Sequence, residues 1–265
     1  MERPEDGIAE ELRAPDRARR LDALERLLAR GGAIPDALVG PLAACVGDRS
    51  KAVQRRAADA LARIADRNAV RAALMPGLHE PDLERRWGAA YALGVAIGPE
   101  AVLLPTLLET LGGSDGDRRW AAAELVIAMG KREERVGREL LGLVGSSNVR
   151  QRKMALYCIR DLHLQGEETD AVTYGRLGDP EPVVRLAALS VARRCGRPEA
   201  LVDAVVGVLE RDPDPGVRRA AAATLGSWRR LASALRALER ALQSEDASLR
   251  RAAAQALRLQ AQPPS

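Results

Sequence analysis

The sequence contains no phenylalanine, and its three tryptophans and three tyrosines bring the aromatic share to only 2%. Aromatic side chains ordinarily supply much of the buried area of a globular core. A chain that lacks them yet is 46% hydrophobic must bury itself with Ala, Leu and Val, which suits closely packed helices. Long apolar runs are also missing: none approaches the roughly 18 residues of a membrane span. The opening Met1-Glu2-Arg3-Pro4-Glu5-Asp6 is charged and lacks the apolar centre of a secretory signal. A soluble, cytoplasmic protein without a membrane partner is expected. The high apolar content beside 29% charged residues excludes the disordered class.

Cysteine and histidine are scarce. Cys45, Cys158 and Cys195 are odd in number and far apart, which gives neither a disulfide framework nor a metal-ligand spacing. Their expected role is that of buried small hydrophobes. His79 and His163 are the only histidines. There is no Gly-rich phosphate loop, no Ser/His/Asp arrangement and no Cys/His cluster, so neither an enzyme nor a bound cofactor or metal is expected. Lysine occurs only at Lys51, Lys131 and Lys153, so 38 of the 41 basic residues are Arg. The net charge of +4 sits mainly in residues 151–265, with 18 basic and 14 acidic groups. That balance permits an acidic partner without requiring one.

What the chain does have is a repeat. Arg86, Arg119, Arg152, Arg185 and Arg218 follow one another at intervals of 33 residues, Arg250 continues after 32, and Arg20 and Gln54 begin the column less regularly. Four residues before each lies a second column: Asp16, Ser50, Asp82, Asp115, Asn148, Glu181, Asp214 and Asp246. All but Glu181 are short polar types favoured at helix N-caps. After the Arg comes a small-residue stripe, as in Ala89-Ala90 with Ala92-Leu93 and Ala253-Ala254 with Ala256-Leu257. Each unit is predicted to be a helix pair of roughly 12 to 14 residues per helix, the second helix starting at the cap column. Pro35, Pro99 and Pro198 fall where first helices should begin, and Pro41 and Pro105 are expected to kink them. The expected fold is all-α: a right-handed α-solenoid of about eight helix pairs over residues 15–259. Residues 1–14 form a capping segment that buries Ile8, Ala9 and Leu12, and residues 260–265 a disordered tail.

The stretch Val217-Arg218-Arg219-Ala220-Ala221-Ala222-Ala223-Thr224-Leu225-Gly226 resembles the HEAT repeats, and within them the phycobilisome-lyase-like variety, with Val-Arg, small residues and Ala-Leu-Gly in the second helix. Arg86 to Gly94 and Arg119 to Glu124 match as well, and the resemblance extends over nearly the whole chain. It implies a scaffold, because the shared residues are packing and capping residues. Enzymes occur on this fold, but the resemblance brings no enzymatic site with it. Deoxyhypusine hydroxylase holds iron through several His-Glu pairs, and His79-Glu80 is the single one here. HEAT-like alkylpurine glycosylases use aromatics and a carboxylate, echoed only by Trp120 with Glu124.

Three groups are candidate binding residues. The Arg column, Arg86, Arg119, Arg152, Arg185 and Arg218, would align as a ladder. It either forms a cationic track for phosphate or carboxylate or pairs structurally with the acid-rich cap column, and the structural reading is favoured. Arg85 and Arg118 belong to a second, less regular basic column (with Arg55, Arg56, Lys153, Arg219 and Arg251) that is expected to be exposed. Trp87 and Trp120, each behind two arginines, should lie side by side, either as a ligand platform or as packing. The function expected is a non-enzymatic scaffold that binds another macromolecule, most naturally a protein, through the second helices. The alternatives are an enzyme accessory protein holding a cofactor or modified substrate, and nucleic-acid binding along the Arg-rich edge, for which the charge excess and aromatic content are low.

Overall fold

The computed structural model describes residues 4–229 and 231–261. Among them are sixteen α-helices and no β-strand. They gather into two compact units, Met1–Arg132 and Glu133–Ser265, where the repeat pattern predicts one unbroken array. Unit 1 holds α1 (Pro4–Leu12), α2 (Arg17–Ala29), α3 (Val39–Cys45), α4 (Lys51–Leu61), α5 (Arg67–Leu74), α6 (Leu83–Ala96), α7 (Leu104–Thr110) and α8 (Gly116–Gly130). Unit 2 holds α9 (Glu134–Leu143), α10 (Val149–Asp161), α11 (Glu167–Leu177), α12 (Pro182–Ala192), α13 (Val202–Arg211), α14 (Pro215–Ser227), α15 (Ala232–Ala241) and α16 (Ala247–Ala261). Each unit is a stack of four helix pairs. The chain has the α-solenoid fold class.

The cap column starts every second helix. Asp16, Asp82, Asp115, Asn148, Asp214 and Asp246 each accept hydrogen bonds from backbone N–H groups of the first turn, which satisfies donors that the helix leaves unpaired. Ser50 and Glu181 occupy the cap without a side-chain bond. The first helices are shorter than expected, α3 and α7 spanning only seven residues each. The reason is proline. Pro41 and Pro105 do not kink a long helix, since each lies in the first turn of a short one, after a 3-10 turn at Asp36–Leu38 or Ala101–Leu103. There the missing N–H leaves no helical bond unmade.

Ile8 and Leu12 of α1 are buried and Ala9 is half-buried, with α1 packed on α2 and α3. At the other end, the expected tail begins too early. Gln260 and Ala261 belong to α16, where the Gln260 amide donates to Leu225 O at 2.8 Å and Trp228 O at 3.2 Å. The rest of the expected tail, residues 262–265, lies outside the described residues.

The small-residue stripe makes the stacks thin. Ala57, Ala58, Ala60, Ala90, Ala92, Ala221, Ala222 and Ala253 are fully buried. At Gly88 the approach is closer than any side chain permits: a Cβ there would lie 2.0 Å from the Val46 carbonyl oxygen. Gly88→Ala should therefore lower stability by about 1–3 kcal/mol through overpacking. Gly142→Ala, in α9 where an added Cβ would meet nothing within 4 Å, should raise it by about 0.4–1 kcal/mol. Thermal denaturation of the two variants measures both; equal tolerance would contradict the close approach.

Candidate functional site

Every column residue is the fourth residue of its second helix, where a cation faces the positive end of the helix dipole and needs acceptors to offset it. In unit 1, Arg20 Nη1 donates to Ala14 O and Pro15 O at 2.7 and 2.8 Å, and Arg86 Nη1 to Glu80 O and Pro81 O at 2.9 and 2.7 Å. Arg119 Nη1 reaches Gly113 O and Ser114 O at 2.7 and 2.8 Å. In unit 2, Arg152, Arg185 and Arg250 make the same pair of bonds to the carbonyls six and five residues back. Gln54, the substitute in the column, keeps one of them, to Asp48 O at 2.7 Å. Each side chain thus pins the turn that joins the two helices of its own pair.

The other edge of the guanidinium reaches the following repeat. Arg152 donates from Nε and Nη2 to the two oxygens of Asp179, both at 2.9 Å, and Arg185 to those of Asp212 at 2.7 and 2.8 Å. Arg20 pairs with Asp48 at 2.6 Å, and Arg86 with Glu109 at 2.6 Å. The expected acceptors were the cap residues themselves. The observed ones are main-chain carbonyls, Glu109 of α7 for Arg86, and elsewhere aspartates two residues before the next cap. Those aspartates also accept the N–H of the cap residue: Asp48 from Ser50 at 2.7 Å, Asp179 from Glu181 at 3.0 Å and Asp212 from Asp214 at 2.8 Å. A carboxylate two residues before the cap is free to turn outward toward its neighbour, whereas the cap oxygen is already committed to its own helix. The sequence held a signal for them, because an Asp two positions before the cap recurs at 48, 179 and 212.

These rungs are buried to different degrees. Arg152 and Arg185 are buried, Arg86, Arg119 and Arg218 half-buried. The Asp179 side chain is 0% exposed. Burial alone would raise its pKa, but bonds from Arg152, the Glu181 N–H and Arg176 outweigh that and hold it below the ordinary carboxylate value. At Arg86, Arg152 and Arg185 the guanidinium is occupied on both edges, which leaves little for a cationic track.

The tryptophans part company despite their matching positions. Trp87 is 4% exposed and lies against the Tyr91 ring at 5.2 Å between centroids, whereas Trp120 is 47% exposed. Of the two readings, platform or packing, Trp87 takes the packing role, while Trp120 is left open to solvent. Arg118, expected on the surface, has a side chain only 13% exposed, pairs with Glu84 at 2.8 Å, and shares a cavity of about 140 Å³ with Trp87. Arg85 is exposed as expected, with Glu80 at 3.6 Å. Over this region Lys51, from the start of α4, reaches the α8 cap residue Asp115 at 2.5 Å and Asp117 at 3.3 Å. The N-terminal ends of α4 and α8 therefore converge in front of α6. Within unit 1 the second-helix side is concave at that end.

The remaining candidates read simply. Cys45 and Cys158 are buried, Cys195 only partly. Burial pushes the Cys45 thiol up to about 11 and Cys158 up to about 12, far from the reactive range. Among the described residues, no three His, Cys, Asp or Glu side chains gather as a metal ion would require, and no helix is long and apolar enough to cross a membrane.

A family profile described as HEAT repeats matches residues 38–128 and 169–258, more than half of the chain. The chain belongs to the HEAT-repeat family. Among solved HEAT-like structures it is similar to YibA of Escherichia coli, at 15% identity and TM-score 0.60, covering 98% of this chain and 93% of that one. It is also similar to Kap95p, in a structure concerned with its binding to RanGDP, at 14% identity and TM-score 0.62 over 98% of this chain and 39% of that one. A Kap121p mutant matches at 12% identity and TM-score 0.52, over 98% and 38% of the two chains. At these identities the likeness is one of fold. No curated protein sequence matches the chain.

The HEAT rungs make a graded prediction. Asp179→Ala strands the buried Arg152 and should cost about 3–5 kcal/mol. Glu109→Ala, at a carboxylate 52% exposed, should cost about 0–1 kcal/mol. Because the folded pKa of Asp179 is depressed, its contribution is complete above the unfolded value of about 3.9 and is lost as pH falls through the folded value. Melting curves from pH 7 to 2 should show the wild type losing stability more steeply with acid than Asp179→Ala. Equal costs for the two variants would refute the grading.

Proposed function

We propose that this HEAT-repeat protein is a non-enzymatic scaffold that binds another protein through its second-helix side. The observation that carries the reading is Trp120: an indole 47% exposed on a second helix, in a chain with three tryptophans. Tryptophan and arginine are among the residues enriched at energetic centres of protein interfaces, and solenoids present their binding surfaces on a concave side. In unit 1 the concave end built by α4, α6 and α8 offers Arg85 as well, with Glu84 and Asp117 as exposed acids. Such mixed charge suits a folded protein partner better than a polyanion, which would meet those carboxylates. Kap95p, a neighbour in fold, binds the protein RanGDP.

Affinity capture from the native cell extract tests this. Trp120→Ala should reduce recovery of the captured protein at least tenfold, with a melting temperature unchanged within a few degrees. Recovery that survives both Trp120→Ala and Arg85→Ala would overturn the assignment of this surface. A captured species released by nuclease instead would overturn the protein-partner reading.

A further inference from the structure

The rungs of unit 2 are not alike. Arg152 and Arg185 are each clamped by an aspartate two residues before the next cap. At the third rung, Arg218, the residue in that place is Ser244. The serine hydroxyl accepts the N–H of the cap residue Asp246 at 3.2 Å, as the aspartates do for their caps, but it is too short and uncharged to clamp an arginine. Arg218 departs from its neighbours accordingly. Its Nε donates to Leu209 O at 3.0 Å, and among the described residues its guanidinium has no ion pair and its Nη atoms no hydrogen bond. The nearby Asp246 is committed to the Ser248 and Leu249 N–H groups at 2.7 and 3.3 Å.

A cavity of about 310 Å³ opens where the carboxylate would be, lined by Arg218, Ser244, Glu210, Arg240, Gln243 and Leu249. Glu210 is already held by Arg240 at 2.5 Å, on the rim. The walls are partly apolar, through Leu209, Ala237 and Leu249. We infer that this cavity is a carboxylate-binding site, in which an acidic side chain or the C-terminal carboxylate of a bound peptide takes the place that Asp179 and Asp212 hold at the two preceding rungs. The fold itself shows the chemistry twice: at Arg152 and Arg185 a planar guanidinium donates two parallel bonds, from Nε and Nη2, to one carboxylate; at Arg218, whose Nε is held by Leu209 O, the two Nη atoms offer the pair. The site follows from the rung geometry; only the peptide as the source of the carboxylate rests on the reading of the protein as a scaffold.

Ser244→Asp provides the decisive variant, because it supplies the missing rung from within. It should raise the melting temperature by about 2 °C or more and close the site. Three fluorescent hexapeptides serve as probes of the full-length chain by anisotropy: one capped at both ends with a central Asp, one with a free C-terminal carboxylate and no acid, one capped and neutral. At least one carboxylate peptide should bind tenfold or more tighter than the neutral one, and whichever does identifies the source. Ser244→Asp and Arg218→Gln should each weaken it at least tenfold; if Ser244→Asp does not fold, Arg218→Gln decides alone. Equal binding of the neutral peptide, or undiminished binding in the variants, would overturn the site. If the carboxylate peptides fail while affinity capture still depends on Trp120, the site is wrong and the scaffold reading stands.

Discussion

One guanidinium with two usable edges organises each stack. An arginine four residues after the N-cap sits where a helix least welcomes positive charge, and that position forces it to find acceptors. One edge takes two carbonyls from the turn behind it; the other takes a carboxylate from the pair ahead. The same side chain therefore closes its own helix pair and fixes the distance to the next. No single pair buries its apolar face, so the fold depends on nearest-neighbour packing at every step, to which the clamps of Arg20, Arg86, Arg152 and Arg185 add. The missing phenylalanine follows from this spacing. Interfaces this thin have room for alanine, and at Gly88 for no side chain at all.

The architecture was legible in the sequence because its two determinants are periodic and local. A cap residue and an arginine four positions later fall in one helical turn, so their register survives translation into structure almost without loss. What was not legible depended on the facing element. Trp87 and Trp120 have the same register, each behind two arginines on a second helix, yet one is covered and the other is not. The cover over Trp87 comes from Tyr91 and Arg118, and a column of identical letters does not encode what stands opposite it. Arg118 was misread for the same reason: membership in an irregular basic column says nothing about a groove beside an indole and a Glu84 that draws the guanidinium inward.

The aspartates two residues before the caps are a different kind of omission. They repeat, but only at three of the eight units, and a more regular cap column next to them drew the expected pairing. Geometry separates the two. A cap oxygen points along its own helix axis toward the N–H groups, while a carboxylate two residues earlier still lies in the turn and can address its neighbour. Lys51 was equally silent in the sequence. Its partners, Asp115 and Asp117, lie two second helices away, and only the curvature of unit 1 brings them within reach.

The substitution of Gln54 for arginine has a mechanical consequence. A primary amide retains the carbonyl contact of its own turn, but it has no second edge to lend to the pair ahead. Such a rung preserves the turn of its own repeat, while the joint beyond it, where Gly88 meets the Val46 carbonyl, rests on packing rather than on a carboxylate clamp. Clamped rungs (Arg20, Arg86, Arg152 and Arg185) and unclamped ones (Gln54 and Arg218) are interspersed along the chain, so the way each joint is held is written residue by residue, and a single substitution can add or remove a clamp without altering the helices on either side.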